Sequence, residues 1–256
     1  MDAQEASFLG QKYLAEIAAV QASILKTESV SITRAAAILA DRIAGDRLIY
    51  IFGPGGHSNL AAQEIFYRAG SLAHVSAILD AGTFLSTGAL KSTAMERLPG
   101  YGQTVIEGAG LVAGDALMLV NAFGINSAVI DAALAARRLG LTIIGLSGTS
   151  CSELIPPDHP ARHPSAFNLQ DIVDVHIDTK VPEGDAVVDI PGTTVRSGSV
   201  STFTNAFSLQ WLMLATIAEL GARGIDPPVW TSSNSPRGDE SNQLLVGRLR
   251  GRVSHL

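Results

Sequence analysis

Apolar residues recur at three- and four-residue steps through the start of the chain. Phe8, Leu9, Tyr13, Leu14, Ile17, Val20 and Ile24 share one side of a helical wheel, so residues 4–25 are expected to form one long amphipathic helix. Ser31 is placed to cap a second helix with the stripe Ala35, Ile38, Leu39 and Ile43. Two helices ahead of the first strand are more than a small sheet can cover, which predicts that one lies against a second subunit. The pattern then changes. RLIYIF (47–52) is a nearly continuous apolar run, the mark of a strand buried on both faces. It ends in Gly53-Pro54-Gly55-Gly56-His57-Ser58, and a helical pattern continues to about Ala69. ALMLV (116–120), the turn 121–127 and the helix AVIDAALAARRLG repeat that order, with Gly140 just past the helix end. LTIIGLS follows as a strand. IVDVHI (172–177), interrupted by Asp174 and His176, suits an edge strand, and residues 201–220 read as a last long helix. Strands alternating with helices specify an α/β fold with a parallel sheet covered on both sides.

The stretches 80–113 and 147–171 are rich in Gly, Ser, Pro and His and too long for idle connections. They fall where open α/β sheets bind ligands, at the carboxyl ends of strands. The tail from Gly224 reads as polar and irregular apart from Pro227–Trp230, a cover for the site or for a partner subunit. With no repeat and no domain-scale linker, residues 1–256 read as one domain: N-terminal helices 1–45, an α/β core 46–223 and a tail 224–256. At 256 residues and 46% hydrophobic content the chain can bury a full core. Its 18 basic against 24 acidic residues give a net charge of −6, which argues against nucleic acid as a partner. One cysteine excludes a disulfide framework and a metal site built mainly from thiolates. Acids stand where an export signal would carry positive charge, and no apolar run reaches membrane-spanning length. A cytoplasmic protein is expected.

A glycine-rich turn between a buried strand and a helix aims backbone N–H groups and the positive end of the helix dipole at one spot, an anion site. The Gly53–Ser58 turn has this form. It lacks the Lys-Ser/Thr of a P-loop, and Ser58 interrupts the dinucleotide pattern GxGxxG. His57 and Glu64 lie two helical turns apart, on roughly one side. A sugar whose anion sits near Ser58 would bring its first two carbons toward Glu64, where enolisation needs a base; the other reading of Glu64 is a surface pair with Arg68. In the second turn, Gly124 permits the bend while Asn126 or Ser127 can cap the helix and bond a ligand oxygen. His163, in ARHPSAF, is a candidate proton shuttle or a plain loop residue. His57, His159 and His163 do not have the spacing of a helical metal-ligand pair, so no metal is expected. Cys151 has no basic neighbour to activate it.

Taken together, FGPGGHSNLAAQEIFYRAGSLAHV, KSTAMERLPGYG, GINSAVIDAALAARRLGLTIIGLSG, RHPSAFNL, PEGDAVVDI, GSVSTF and PPVWTSSNSPRGDESNQLL resemble a SIS (sugar isomerase) domain. The likeness is nearest to bacterial single-domain proteins of that type and covers nearly the whole chain. The resemblance implies a three-layer αβα sandwich with a five-stranded parallel sheet, assembled as a homodimer or homotetramer with sites near subunit boundaries. It places a sugar or sugar-phosphate anion against Gly55, Gly56 and Ser58. The Gly124–Ser127 loop, with Asn126 and Ser127, and the Ser201-Thr202 pair would add ligand contacts. Glu64 falls on the acidic position of the helix after the first loop, while Glu96, Arg97 and Arg162-His163 are further polar positions without a derived role.

The expected function is aldose–ketose isomerisation through an enediol. Glu64 would be the carbon base and His57 or His163 would move protons between oxygens. Only a proton changes carbon, so the chemistry calls for no cofactor. A non-catalytic sugar-phosphate sensor and a sugar-ether lyase are the alternatives. Phe123 replaces a hydroxyl residue of the family pattern and Ala166-Phe167 replaces Gly-Lys. Losing those bonds to a charged group, worth about 1–3 kcal/mol each, opens the ligand choice to an unphosphorylated or sulfonated sugar.

Overall fold

The computed structural model describes residues 2–256. The chain begins with α1 (Ala3–Thr27), capped by Asp2, whose carboxylate accepts from the amides of Gln4 and Glu5. Next come α2 (Ser29–Ala44), β1 (Ile49–Phe52), α3 (Gly56–Glu64), β2 (Val75–Ile78), α4 (Ala89–Arg97) and α5 (Tyr101–Gly108). They are followed by β3 (Ala116–Val120), α6 (Ser127–Arg138), β4 (Thr142–Ser147), α7 (Thr149–Leu154) and β5 (Val175–Asp178). A hairpin of β6 (Ala186–Asp189) and β7 (Arg196–Ser199), then α8 (Ser201–Ala222) and α9 (Gly238–Leu249), complete the chain.

The five main strands form one parallel sheet in the order β2-β1-β3-β4-β5. Every residue of β3 is buried, as a central strand covered on both faces requires. Ile49, Ile51, Met118, Val120, Ile144 and Leu146 point to one face, where α2, α3 and α8 cover them. Phe52, Leu117, Leu119 and Ile143 point to the other, against α5 and α6. Burying one such side chain stabilises by about 1.5–3 kcal/mol, so the alternation along each strand fixes which helices lie on which side. The result is the expected three-layer α/β sandwich with five parallel strands. IVDVHI supplies an edge strand as expected, shortened to β5, and Gly140 lies just past the end of α6 with φ 72°.

Several local expectations are corrected. Ser31 caps nothing: α2 starts at Ser29, after Glu28, whose carboxylate instead accepts from the Asp178 amide and pairs with Lys180. The helix after the first glycine turn stops at Glu64 instead of Ala69, and Tyr67 and Gly70 adopt positive φ before β2. β2 itself, with Ser76 in its middle, is too short and too mixed to show a period. The connection 80–113 contains α4 and α5. The tail contains α9, which packs Leu249 with Trp230, Leu48 and Ala73 beneath the sheet. Of the two N-terminal helices, α2 is built into the core, whereas α1 fully buries Ile24 alone.

Candidate functional site

The strand order turns around between β1 and β3: β2 follows on one side of β1, while β4 and β5 extend from the other side of β3. A parallel sheet opens a crevice at the carboxyl ends of two such strands, because their following loops diverge to opposite faces. The loops after β1 and β3 stand there.

Gly53 ends β1 in tight contact with the first turn of α3. A side chain at Gly53 would overlap the Ser58 carbonyl and meet Val120. Gly55 occupies the position before α3 with φ 100° and ψ 159°, a conformation open to glycine. These two residues let the chain reverse sharply enough to aim the amides of α3 into the crevice. Asn121 joins this loop to the second one. Its Oδ1 accepts from the amides of Phe123 and Gly124, and its Nδ2 lies 3.4 Å from the Pro54 carbonyl.

Between the loops lies a cleft of about 110 Å³ lined by Gly55, Gly56, His57, Ser58, Glu96, Asn121, Ala122, Phe123 and Asn126. Its volume is well below the roughly 300–1,000 Å³ of a usual small-molecule pocket, and two side chains account for that. Leu85 packs against Gly56 where a Cβ would stand, and the Glu96 carboxyl packs in the same way against Gly55. Burial pushes the Glu96 carboxyl up to about 7, against the opposing pull of the Arg97 charge. Ser58 is 4% exposed, lines the cleft and makes no side-chain hydrogen bond. Among the described residues no lysine or arginine lines the cleft. A larger hollow, about 490 Å³, lies between α1 and the hairpin against Phe8, Leu9, Ile190 and Pro191, and is mainly apolar.

Five residues expected from sequence line this cleft: Gly55, Gly56, His57, Ser58 and Asn126. The others lie elsewhere. Glu64 sits at the opposite end of α3, 3.4 Å from Arg68 and 3.3 Å from the Gln210 amide of α8. Ser201 is committed to Asp185, which accepts from its amide at 2.7 Å and from its hydroxyl at 2.7 Å. The positive end of α8 is therefore already answered by a carboxylate, and Thr202 beside it lines none of the cleft. Asn126 stands at the cap position of α6, but its side chain donates to the Ala161 carbonyl at 3.0 Å instead of capping. Ser127 is buried with its hydroxyl unpartnered. His163 is drawn away from the cleft by Asp131, 3.1 Å from its Nε2, and by Ser165, 2.7 Å from its Nδ1. Its amide bonds the Ile125 carbonyl, so it braces the second loop from behind. Cys151 is buried, and burial pushes its thiol up to about 11, which keeps it unreactive.

Glu96, Asn121, Ala122 and Phe123 complete the cleft. Nothing in the spacing of the sequence links Glu96 to Gly55; only the fold of α4 over the first loop does. Among the described residues no helix is long and apolar enough to cross a membrane, and no group of three His, Cys, Asp or Glu side chains could hold a metal ion.

Comparison with known proteins agrees with this architecture. The profile of the SIS domain family matches residues 12–148. A UPF0309 protein of Brucella canis is 34% identical over 245 residues, 96% of this chain and 98% of its own. A UPF0309 protein of Streptomyces griseus is 34% identical over 229 residues, 88% of this chain and 89% of its own. Among solved structures, a phosphoheptose isomerase from Francisella tularensis superimposes with a TM-score of 0.54 at 14% identity, over 86% of this chain and 99% of its own. The phosphoheptose isomerase of Neisseria gonorrhoeae gives 0.52 at 16% identity, over 82% and 95%. At such identities the likeness to these structures is one of fold. By its sequence the chain belongs to the SIS domain family.

Proposed function

We propose that the protein binds a small sugar or sugar derivative in the cleft between the β1 and β3 loops and moves a proton between its adjacent carbons, an aldose–ketose isomerisation. The observation that carries this reading is the pairing of Glu96 with the amide-lined mouth of α3 in one cleft at the turnaround of the sheet. A carboxyl with a pKa near neutrality exchanges protons with least mismatch at neutral pH. In this reading Glu96 removes the proton from the carbon beside the carbonyl and returns it to the neighbouring carbon. His57, exposed at the rim, passes a proton between the two oxygens. The amides of Gly56 and Ser58, with the free Ser58 hydroxyl, hold the oxygen on which negative charge develops. Glu64, the base expected from sequence, is replaced in this role because Arg68 and Gln210 hold it at the far end of α3. The chemistry moves a proton and no electrons, so it requires no cofactor. Phosphoheptose isomerases sharing the fold fit this reaction class. The small volume of the cleft and the exposed Phe8 and Leu14 of α1 support a homodimer or homotetramer in which a second copy completes the walls.

Proton NMR of a panel of unphosphorylated and phosphorylated aldoses and ketoses in deuterated water tests the reading. Deuterium entering C1 or C2 of one sugar, and lost in Glu96→Ala, is the expected result. Binding without exchange makes the protein a sensor, release of a carboxylic acid from a sugar ether makes it a lyase, and either outcome replaces the isomerase.

A further inference from the structure

An anion site at a helix mouth ordinarily presents donors and positive charge. This cleft presents amides and a hydroxyl, but its one formal charge at high pH is the negative Glu96. The carboxyl packs directly on Gly55, at the point where an incoming headgroup would meet the first amides of α3. Ser58, buried and unpartnered, faces the same space and has hydrogen-bonding capacity to offer. A dianion and an ionised Glu96 do not share about 110 Å³ without strong repulsion, since like charges held that close in a partly dry cleft are poorly screened. A protonated Glu96, in contrast, becomes one more donor to the ligand.

We infer that Glu96 sets the charge of the ligand this cleft accepts: uncharged sugar hydroxyls bind to the carboxylate, and a dianionic headgroup enters only together with a proton on Glu96. The inference rests on the proposed ligand cleft and deepens it. The surroundings of Glu96 leave this role to Glu96 itself. On α4, Arg97 is its one charged neighbour of effect and Lys91 is turned to Thr87. In the turn before α4, Asp80 is bound by the Tyr101 hydroxyl of α5 at 2.6 Å. Glu107 of α5 pairs with Arg138 of α6, Arg137 donates to the Ile172 carbonyl, and Asp131 is committed to His163 and the Gly100 amide. His57 is the second titratable group lining the cleft. The carboxyl is held near pH 7 by burial, so proton uptake by it falls within the physiological range.

Inorganic sulfate, which stays a dianion from pH 6 to 8.5, is the probe. Calorimetric titration of the full chain is expected to show sulfate affinity falling about tenfold per pH unit above 7. Titrations in two buffers of different ionisation heat are expected to show close to one proton taken up per sulfate at pH 8 and far less at pH 6. Glu96→Gln is expected to bind sulfate with flat pH dependence and no proton uptake, while His57→Gln keeps the wild-type slope. Should the glutamine variant not fold, Glu96→Asp withdraws the carboxyl from Gly55 and flattens the slope in part, and the wild-type profile stands as a test unaided. Sulfate binding that is independent of pH, or whose slope disappears in His57→Gln, overturns the role of Glu96 and leaves the cleft as the ligand site. No sulfate binding at pH 6 by wild type or Glu96→Gln, with the Gly55 and Gly56 amide resonances unmoved, overturns the cleft and the inference together.

Discussion

Two carboxylates at opposite ends of the sheet have been treated in opposite ways. Asp46, at the base between α2 and β1, is surrounded by donors. His74 Nε2 lies 3.2 Å from its Oδ1, Arg248 of α9 lies 2.6 Å from the same oxygen, and Arg252 reaches both oxygens at 3.3 Å. These donors, the His74 bond first, hold its pKa down at about 2. Glu96, at the top, is covered without a partner and is pushed up to about 7. The first arrangement lowers the energy of the ionised folded state, fastening α9 and the tail to the sheet. The second raises it. A group left unsatisfied while its counterpart is saturated is a candidate for chemistry, since a mechanism needs a proton that can come and go. The pH signs of the two also oppose each other, which makes the contrast measurable.

The largest effect should come from destroying the geometry that creates the upper site at all. Gly53→Ala drives a methyl into the Ser58 carbonyl, which is backbone and cannot rotate aside. A loss of more than about 3 kcal/mol is expected, seen as a steep fall in thermal midpoint or as insoluble protein; a midpoint close to wild type would mean that β1 and α3 are not locked as described.

Next is a gain. The Glu96 pKa is raised from 4.5 to about 7, so between those values the folded state holds a proton that the unfolded chain releases. Its contribution to stability is fully present below pH 4.5 and is lost as pH rises through 7. Glu96→Gln should therefore stabilise the fold by about 1–3 kcal/mol at pH 8 and by almost nothing at pH 4.5, read by chemical denaturation at the two pH values. A destabilised variant at pH 8 would show that the carboxylate has partners and that the contrast with Asp46 is false.

The difference between the two regions also marks what could be read from the chain. The β1 and β3 loops were legible because each lies within one strand–turn–helix unit, where the glycine, the hydroxyl and the apolar run are neighbours in sequence. The sheet was legible because ALMLV and RLIYIF have no polar face to offer. Glu96 was visible as a polar position of a familiar pattern, yet its role was not, because it meets Gly55 only after α4 folds back over the first loop. The surroundings of Glu64 were hidden for the converse reason. Its helical spacing from His57 was read correctly, but α3 ends at that residue, and Gln210, contributed by α8, claims one of its oxygens. The Asp185 carboxylate that answers Ser201 is likewise a tertiary event, hidden until the hairpin brings residue 185 under α8. Helix α9 was missed because its residues are mostly polar, and its stability comes from what Leu249 packs against.

A smaller loss tests the lower region. Asp46→Asn keeps a residue that tolerates the φ of 54° found there and removes the charge. Because Asp46 and both arginines are well exposed, the ion pairs add little, and most of the expected cost of about 1 kcal/mol comes from the bond to buried His74. Burial holds the His74 pKa below 6.5, so the unfolded chain binds the proton first, and this stability falls as pH drops below 6.5. Acid thus weakens the base of the molecule while it relieves Glu96 at the top. Because Asp46 pulls the His74 pKa upward against burial, Asp46→Asn should lose stability more steeply than wild type from pH 8 to 5, so the two denaturation curves separate at the acid end; parallel curves would detach His74 from the latch.

The smallest effect belongs to Glu64, and its smallness is informative. An exposed i,i+4 pair with Arg68 is worth a few tenths of a kcal/mol, and the Gln210 contact at 3.3 Å adds little more. Glu64→Gln keeps the acceptor oxygen for Gln210, so stability should change by less than about 0.5 kcal/mol. If the reacting carboxyl is the one on α4, deuterium exchange into the sugar should also survive in Glu64→Gln while Glu96→Ala abolishes it. Loss of exchange in Glu64→Gln with the fold intact would return the carbon base to α3. It would also require the assembled protein to bring substrate to the far end of that helix, where Arg68 and Gln210 hold the Glu64 carboxylate.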